Sequence, residues 1–92
     1  MQMQITVQSF GAIRSLLGEK TQQVEAPDGA TVRDVIDKLL EKGGARARKL
    51  ILSPDGKTLK IMVMLAGKAV VSETTLQDGQ EISLMLTIGG GA

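Results

Sequence analysis

Hydrophobic and polar residues alternate near both ends of the chain, with the period of two that gives a strand one buried face. In residues 2–8 the apolar positions are Met3, Ile5 and Val7, and glutamine or threonine occupies the others. In residues 82–88 isoleucine or leucine occupies every second position. The pattern therefore predicts a half-buried strand at each of these two places.

Residues 31–42 have the spacing of an amphipathic helix, with one apolar face and charged residues elsewhere. The apolar face consists of Val32, Val35, Ile36, Leu39 and Leu40. Thr31 is a favourable N-cap, and Asp34 three residues later resembles a capping box with a shorter acid. The pair Gly43-Gly44 predicts that the helix stops there.

The remaining predicted elements are shorter. They are a helical turn over residues 13–17, a strand over 21–25, an apolar strand over 61–65 and a short strand over 69–71. Residues 45–52 fit either a helical turn or an edge strand. Residues 53–57, with sequence SPDGK, are a turn by composition.

This order predicts an α+β fold, in which one main helix packs on one face of a mixed sheet of four to five strands. The first and last strands are the most regular, so we place them side by side at the sheet centre. They would be parallel, because the crossover between them contains the helix. We expect residues 1–88 to form one domain and residues 89–92 to form a flexible tail, because consecutive glycines lose much backbone entropy when ordered.

Composition excludes several classes of function. The 92 residues carry a net charge of +1 and a single aromatic residue, Phe10, so we expect no nucleic-acid partner. Cysteine and histidine are absent, which removes the commonest metal ligands and nucleophile–base pairs. No basic leader or long apolar run marks secretion or a membrane span. We therefore expect a cytoplasmic protein without metal, bound cofactor or catalytic residues of its own.

Four stretches resemble one known family when taken in order and spacing. They are ITVQSFGAIRSLLG, TVRDVIDKL, VMLAGKAV and LQDGQEISLM, the last shortly before the terminal glycines. Together they resemble the ubiquitin-like β-grasp sulfur carriers of the MoaD/ThiS family, and most of all the small subunit of molybdopterin synthase. The chain departs from the family where it has Ala66 instead of asparagine, Leu86-Thr87 instead of a proline pair, and Ala92 after the glycines.

The resemblance implies that the C-terminal carboxylate is the reactive group. A partner adenylyltransferase of the ubiquitin-activating type would join it to AMP, using ATP, and a sulfur donor would then convert it to a thiocarboxylate. The sulfur would be used in molybdopterin biosynthesis, in complex with the molybdopterin-synthase large subunit. Gly90, Gly91 and Ala92 would form the reactive terminus and Gly89 the rest of the tail, with Ala92 either removed or itself activated.

Two alternative functions remain open at the level of sequence. One is a ubiquitin-like modifier that is conjugated to lysines after removal of Ala92. The other is a non-reactive β-grasp adaptor that binds through its sheet.

Three methionines fall on the sheet face opposite the predicted apolar face. These are Met62, Met64 and Met85. They form either an exposed surface for a partner, for which flexible thioethers are suited, or a surface covered by residues 50–52.

Two charged groups complete the candidates. The cluster Arg46, Arg48 and Lys49 would either steer an acidic partner or form a solvated basic turn. Asp78 and Glu81 would fix a turn or contact a partner.

Overall fold

The computed structural model describes residues 2–86. Its elements, in chain order, are β1 (Gln2–Ser9), α1 (Gly11–Leu17), β2 (Thr21–Pro27), α2 (Val32–Ile51), β3 (Ile61–Leu65), β4 (Lys68–Val70) and β5 (Glu81–Leu86). The predicted α+β order is confirmed. The tail predicted for residues 89–92, and the last two positions of the predicted C-terminal strand, lie outside the described residues.

The five strands form one mixed sheet in the order β2-β1-β5-β3-β4. β1 and β5 are parallel neighbours, with Val7 opposite Ile82, and the other neighbouring pairs are antiparallel. The predicted pairing of the first and last strands is therefore confirmed. β5 is the central strand and is hydrogen-bonded to a neighbour on each side.

Both helices lie on one face of the sheet and enclose the core with it. The five apolar residues predicted on one face of α2 are all buried, as are the odd-numbered positions of β1. Apolar burial of this kind supplies most of the driving force for folding. The predicted capping box is present: the Asp34 N–H donates to Thr31 Oγ1, and the Thr31 N–H donates to Asp34 Oδ2.

The prediction that α2 stops at the glycine pair is wrong in one respect. The backbone does leave helical geometry at Gly44, with φ 73° and ψ −164°, but it resumes a helix that runs on to Ile51. Ala47 and Ile51 from this second segment are buried in the core. Burial of these two side chains supplies the energy that continues the helix beyond a residue that favours termination.

Residues 50–52 do not cover the methionine face. Ile51 and Leu52 belong to the core on the helix side, and Leu50 packs against it. Of the two alternatives for residues 45–52, the helix is therefore correct over 45–51, and Leu52 forms a single bridge to Leu59.

Candidate functional site

β5 ends at Leu86, and the glycine-rich segment follows it in sequence. The strand is held on one side by β1, where Leu84 lies opposite Ser9, and on the other by β3, where Leu86 lies opposite Ile61. A third support lies before the strand, in the turn at Asp78. The C-terminal segment thus follows the central strand of the sheet, which is paired on both sides.

The turn before β5 is tied to β1 by paired hydrogen bonds. The Gln4 N–H donates to Asp78 Oδ1 at 2.8 Å, and the Gly79 N–H donates to the Gln4 carbonyl oxygen at 2.9 Å. Asp78 therefore fixes the turn, as one of the two sequence interpretations proposed. Glu81 accepts a hydrogen bond from Gln8 Nε2 at 2.9 Å and lies on the open face of the sheet.

The sheet face opposite the helices carries all three candidate methionines. Met62 lies directly opposite Met85 in the β3–β5 ladder, and Met64 lies opposite Ser83. Met62 is 38% exposed, whereas Met64 and Met85 are half-buried. We call these three residues the methionine patch. Neighbouring thioethers on a rigid sheet form an apolar surface whose side chains adapt to a partner.

The other half of the open face is polar and internally hydrogen-bonded. Gln23 Nε2 donates to Thr6 Oγ1 at 2.8 Å across β1 and β2, next to the Gln8–Glu81 bond. Polar groups satisfied in this way gain little from a new partner, because their bonds to each other would have to be broken. The methionine patch is therefore the more favourable half for docking.

A depression of about 370 Å³ lies at the edge of the methionine patch, beside the hairpin that joins β3 and β4. Met64, Ser83 and Glu81 line it together with the turn residues Ala66 and Gly67. Both turn residues have positive φ, 53° and 81°, as a two-residue type I′ hairpin turn requires.

The basic cluster predicted from sequence lies on the second segment of α2. Arg48 and Lys49 are exposed and line a groove of about 560 Å³ with Lys60, the residue immediately before β3. Sequence reasoning missed Lys60 as part of this cluster. The signal was weak, because Lys60 lies eleven positions after Lys49 in the chain and only the fold brings them together.

The carboxylate of Asp55, which lies between two residues that line the groove, accepts hydrogen bonds from its own loop. Asp55 Oδ1 accepts a hydrogen bond from Ser53 Oγ at 2.5 Å and another from the Lys57 N–H at 3.0 Å. These hydrogen bonds hold the pKa of Asp55 below its usual value, the Ser53 hydroxyl contributing most. The charged form of Asp55 is therefore favoured, and it stabilises the loop of residues 53–57.

Within residues 2–86, no group of three or more carboxylate, histidine or cysteine side chains is arranged to hold a metal ion. No helix of the described chain is long and apolar enough to cross a membrane. The reactive positions predicted from sequence, Gly89, Gly90, Gly91 and Ala92, lie outside the described residues.

Comparison with known proteins identifies the family. The sequence model of the ThiS family matches residues 7–91 of the chain. No curated protein sequence matches it.

Three solved structures illustrate the likeness. Small archaeal modifier protein 1 from Haloferax volcanii is 25% identical and covers 96% of this chain, with 99% of its own length matched and a TM-score of 0.82. A chain of the Amycolatopsis orientalis BexX/CysO complex is also 25% identical, with coverages of 95% and 99% and a TM-score of 0.71. A protein assigned as molybdopterin converting factor subunit 1 from Pyrococcus furiosus is 21% identical, with coverages of 92% and 99% and a TM-score of 0.76, and shows the fold alone. The predicted ubiquitin-like β-grasp is thereby confirmed.

Proposed function

Because the chain belongs to the ThiS family, whose members are small ubiquitin-like sulfur carriers, we propose that it carries sulfur as a thiocarboxylate at its glycine-rich end. The acceptor would be a pterin precursor in molybdopterin biosynthesis, bound by the large subunit of molybdopterin synthase. The observation that carries the proposal is the family match, which extends to residue 91. It includes Gly89, Gly90 and Gly91, which follow the central strand β5 in sequence.

The chemistry takes place in a partner. An oxygen of the terminal carboxylate attacks the α-phosphorus of ATP, and pyrophosphate leaves. Hydrosulfide released by a sulfur donor then attacks the acyl carbon, AMP leaves, and the product is the thiocarboxylate. Glycine suits both steps, because a residue without Cβ enters a narrow active site and leaves the acyl carbon unhindered. The carrier acts as a cosubstrate: once Ala92 is removed, Gly90 and Gly91 supply the reactive end, and Gly89 supplies reach.

The body of the protein presents that end and docks. The methionine patch contacts the partner, and the pairing of β5 with both neighbours keeps Leu86, the last described residue before the glycine-rich segment, in a fixed place. A fixed anchor restricts the space that the tail explores, which raises its effective concentration at the partner's active site.

Intact-mass spectrometry of the protein from its native cells tests the proposal. We expect a mass increase that corresponds to replacement of one oxygen by sulfur, after loss of Ala92. Deletion of Gly90–Ala92 should abolish sulfur transfer to the pterin precursor and leave folding unchanged. Retained transfer after this deletion would refute the proposal.

The docking role of the methionine patch has its own test. Met62→Asp places a charge in the patch, and we expect weaker binding to the adenylyltransferase. Thr21→Asp is a matched control, since Thr21 lies on the polar half of the same open face, opposite Gln8. Equal binding by the two variants would refute docking through the patch.

A second function, conjugation to lysines, is favoured by two observations. The chain is similar to a protein named as a small archaeal modifier, and it has a residue after the glycines, as a precursor would. Peptide mass spectrometry of cell extracts separates the two functions: lysine side chains linked to Gly91 support conjugation, whereas a thiocarboxylate without such links supports sulfur transfer alone.

A further inference from the structure

The charges of the chain are unevenly distributed. Residues 46–60 contain five cations and a single acid, Asp55, within a chain of eleven cations and ten acids. The five cations are Arg46, Arg48, Lys49, Lys57 and Lys60. All five are exposed, and none of them forms an ion pair with another residue in the described range 2–86. The rest of the chain has six basic and nine acidic residues, so the positive charge is concentrated in residues 46–60.

Three of these cations surround one groove, which we call the basic groove. Arg48 and Lys49 come from the last turns of α2, and Lys60 comes from the residue before β3. The exposed Pro54 gives it apolar contact surface, and Leu52, which is 3% exposed, lies beneath that surface. A groove with an apolar residue in its lining and several cationic side chains suits a peptide that carries both carboxylate and apolar side chains.

The walls of the basic groove are held in place by hydrogen bonds within the fold. Arg33 Nη2 donates to the Gly56 carbonyl oxygen at 2.7 Å, and its Nε pairs with Asp37 at 2.8 Å. The Lys60 N–H donates to the Ile51 carbonyl oxygen at 2.7 Å, which joins the end of α2 to the start of β3. A groove that is preformed in this way loses little conformational freedom on binding.

The basic groove lies at the end of the sheet where β5 finishes. Lys60 immediately precedes Ile61, and Ile61 is the residue opposite Leu86 in the β3–β5 ladder. Leu86 is the last described residue before the glycine-rich segment. A protein that takes hold of that segment therefore approaches the basic groove as well as the methionine patch.

We propose that the basic groove binds an acidic segment of the partner protein that receives the glycine-rich segment. The lining and charges of the groove are the basis for an acidic segment as the ligand. The choice of this particular partner rests on the proposed function. A nucleic acid is a poorer fit, because the positive surface is confined to one region and the chain has one aromatic residue for stacking.

The test is ATP–pyrophosphate exchange by the organism's own adenylyltransferase, with the full chain as the variable substrate. The variant Arg48→Glu/Lys49→Glu reverses two charges of the groove. The matched control Lys38→Glu/Lys42→Glu reverses two exposed charges on the same helix, away from the groove. Circular dichroism confirms that each variant folds.

We expect the groove variant to raise KM for the carrier about tenfold at low ionic strength, with kcat unchanged, and the control to change KM less than twofold. The difference should shrink as salt is added, because exposed charges are screened. Equal KM values for the two folded variants would overturn the inference. Absence of exchange with the unaltered chain would instead overturn the proposed function.

Oligothymidylate binding provides the alternative outcome. If a labelled oligothymidylate binds the unaltered chain and not the groove variant, while KM for exchange is the same for both variants, the groove is a nucleic-acid site and the inference is wrong.

Discussion

Replacement of Gly44 by alanine tests how the two segments of α2 are joined. Gly44 has φ 73° and ψ −164°, a region that is almost restricted to glycine. An L-residue held there is strained by about 1–3 kcal/mol. Loss of unfolded-chain entropy returns about 0.4–1 kcal/mol. We therefore expect Gly44→Ala to lower the free energy of unfolding by about 1–2 kcal/mol, although a Cβ at this position would contact no other atom.

Gly43→Ala tests the same joint for a different reason. A Cβ at Gly43 would lie 2.7 Å from Ala47 Cβ and 3.0 Å from Leu17 Cδ2. Carbon atoms in contact are normally about 3.5–4.0 Å apart. Overpacking of this size destabilises by about 1–3 kcal/mol, and the better helix propensity of alanine offsets about 1 kcal/mol. We expect a net loss of about 1 kcal/mol.

Far-ultraviolet circular dichroism is the suitable assay, because the chain has no tryptophan or tyrosine. For a domain of this size, each 1 kcal/mol lowers Tm by about 4–8 °C. Glu41→Ala, an exposed change in the same helix, is the control and should stay within about 0.5 kcal/mol of the unaltered protein. If Gly44→Ala has the same Tm as the Glu41→Ala control, alanine is tolerated at the kink and the strain argument is wrong.

Three further changes probe other features. Ala66→Asn should stabilise the protein by about 1 kcal/mol in urea titrations, because Ala66 has φ 53° and asparagine tolerates that region; a loss of stability would contradict this. Ser9→Ala should leave stability unchanged or raise it by up to about 1 kcal/mol, because Ser9 is 1% exposed and its hydroxyl has no hydrogen-bond partner among the described residues; a clear loss of stability would reveal an unrecognised bond. The pKa of Asp55 is lower in the folded protein than the ordinary value of 3.8, so its contribution to loop stability should be fully present above pH 3.8 and be lost as the pH falls through the folded pKa. NMR of the Lys57 amide against pH measures this titration, and a midpoint at or above pH 3.8 would contradict the prediction.

The parts of the fold that sequence predicts well are those set by local periodicity. The alternation around Ile5 and the helical spacing from Val32 identified the buried faces without any knowledge of neighbours. The parallel pairing of the first and last strands followed because a crossover that contains a helix leaves few other arrangements.

The parts that sequence missed depend on contacts between distant residues. The helix continues beyond Gly44 because Ala47 and Ile51 find space in the core, and this space is formed by other elements. The sequence predicted Arg48 and Lys49 as members of a basic cluster but not Lys60, since Lys60 follows a separate loop and reaches the basic groove only in the folded chain. The methionines were assigned to the correct face by period, but the register that sets Met62 beside Met85 required the structure.

The central position of β5 also has a consequence for synthesis of the protein. The last of the described strands in chain order occupies the middle of the sheet, and it pairs with β1, so that Asp78, in the turn before it, bonds to a residue 74 positions earlier. The nascent chain consequently cannot complete its core until β5 has left the exit tunnel. Any truncated product that lacks β5 would expose the unpaired edges of β1 and β3, a form prone to aggregation and to proteolysis. Only chains translated through β5 therefore reach the folded state.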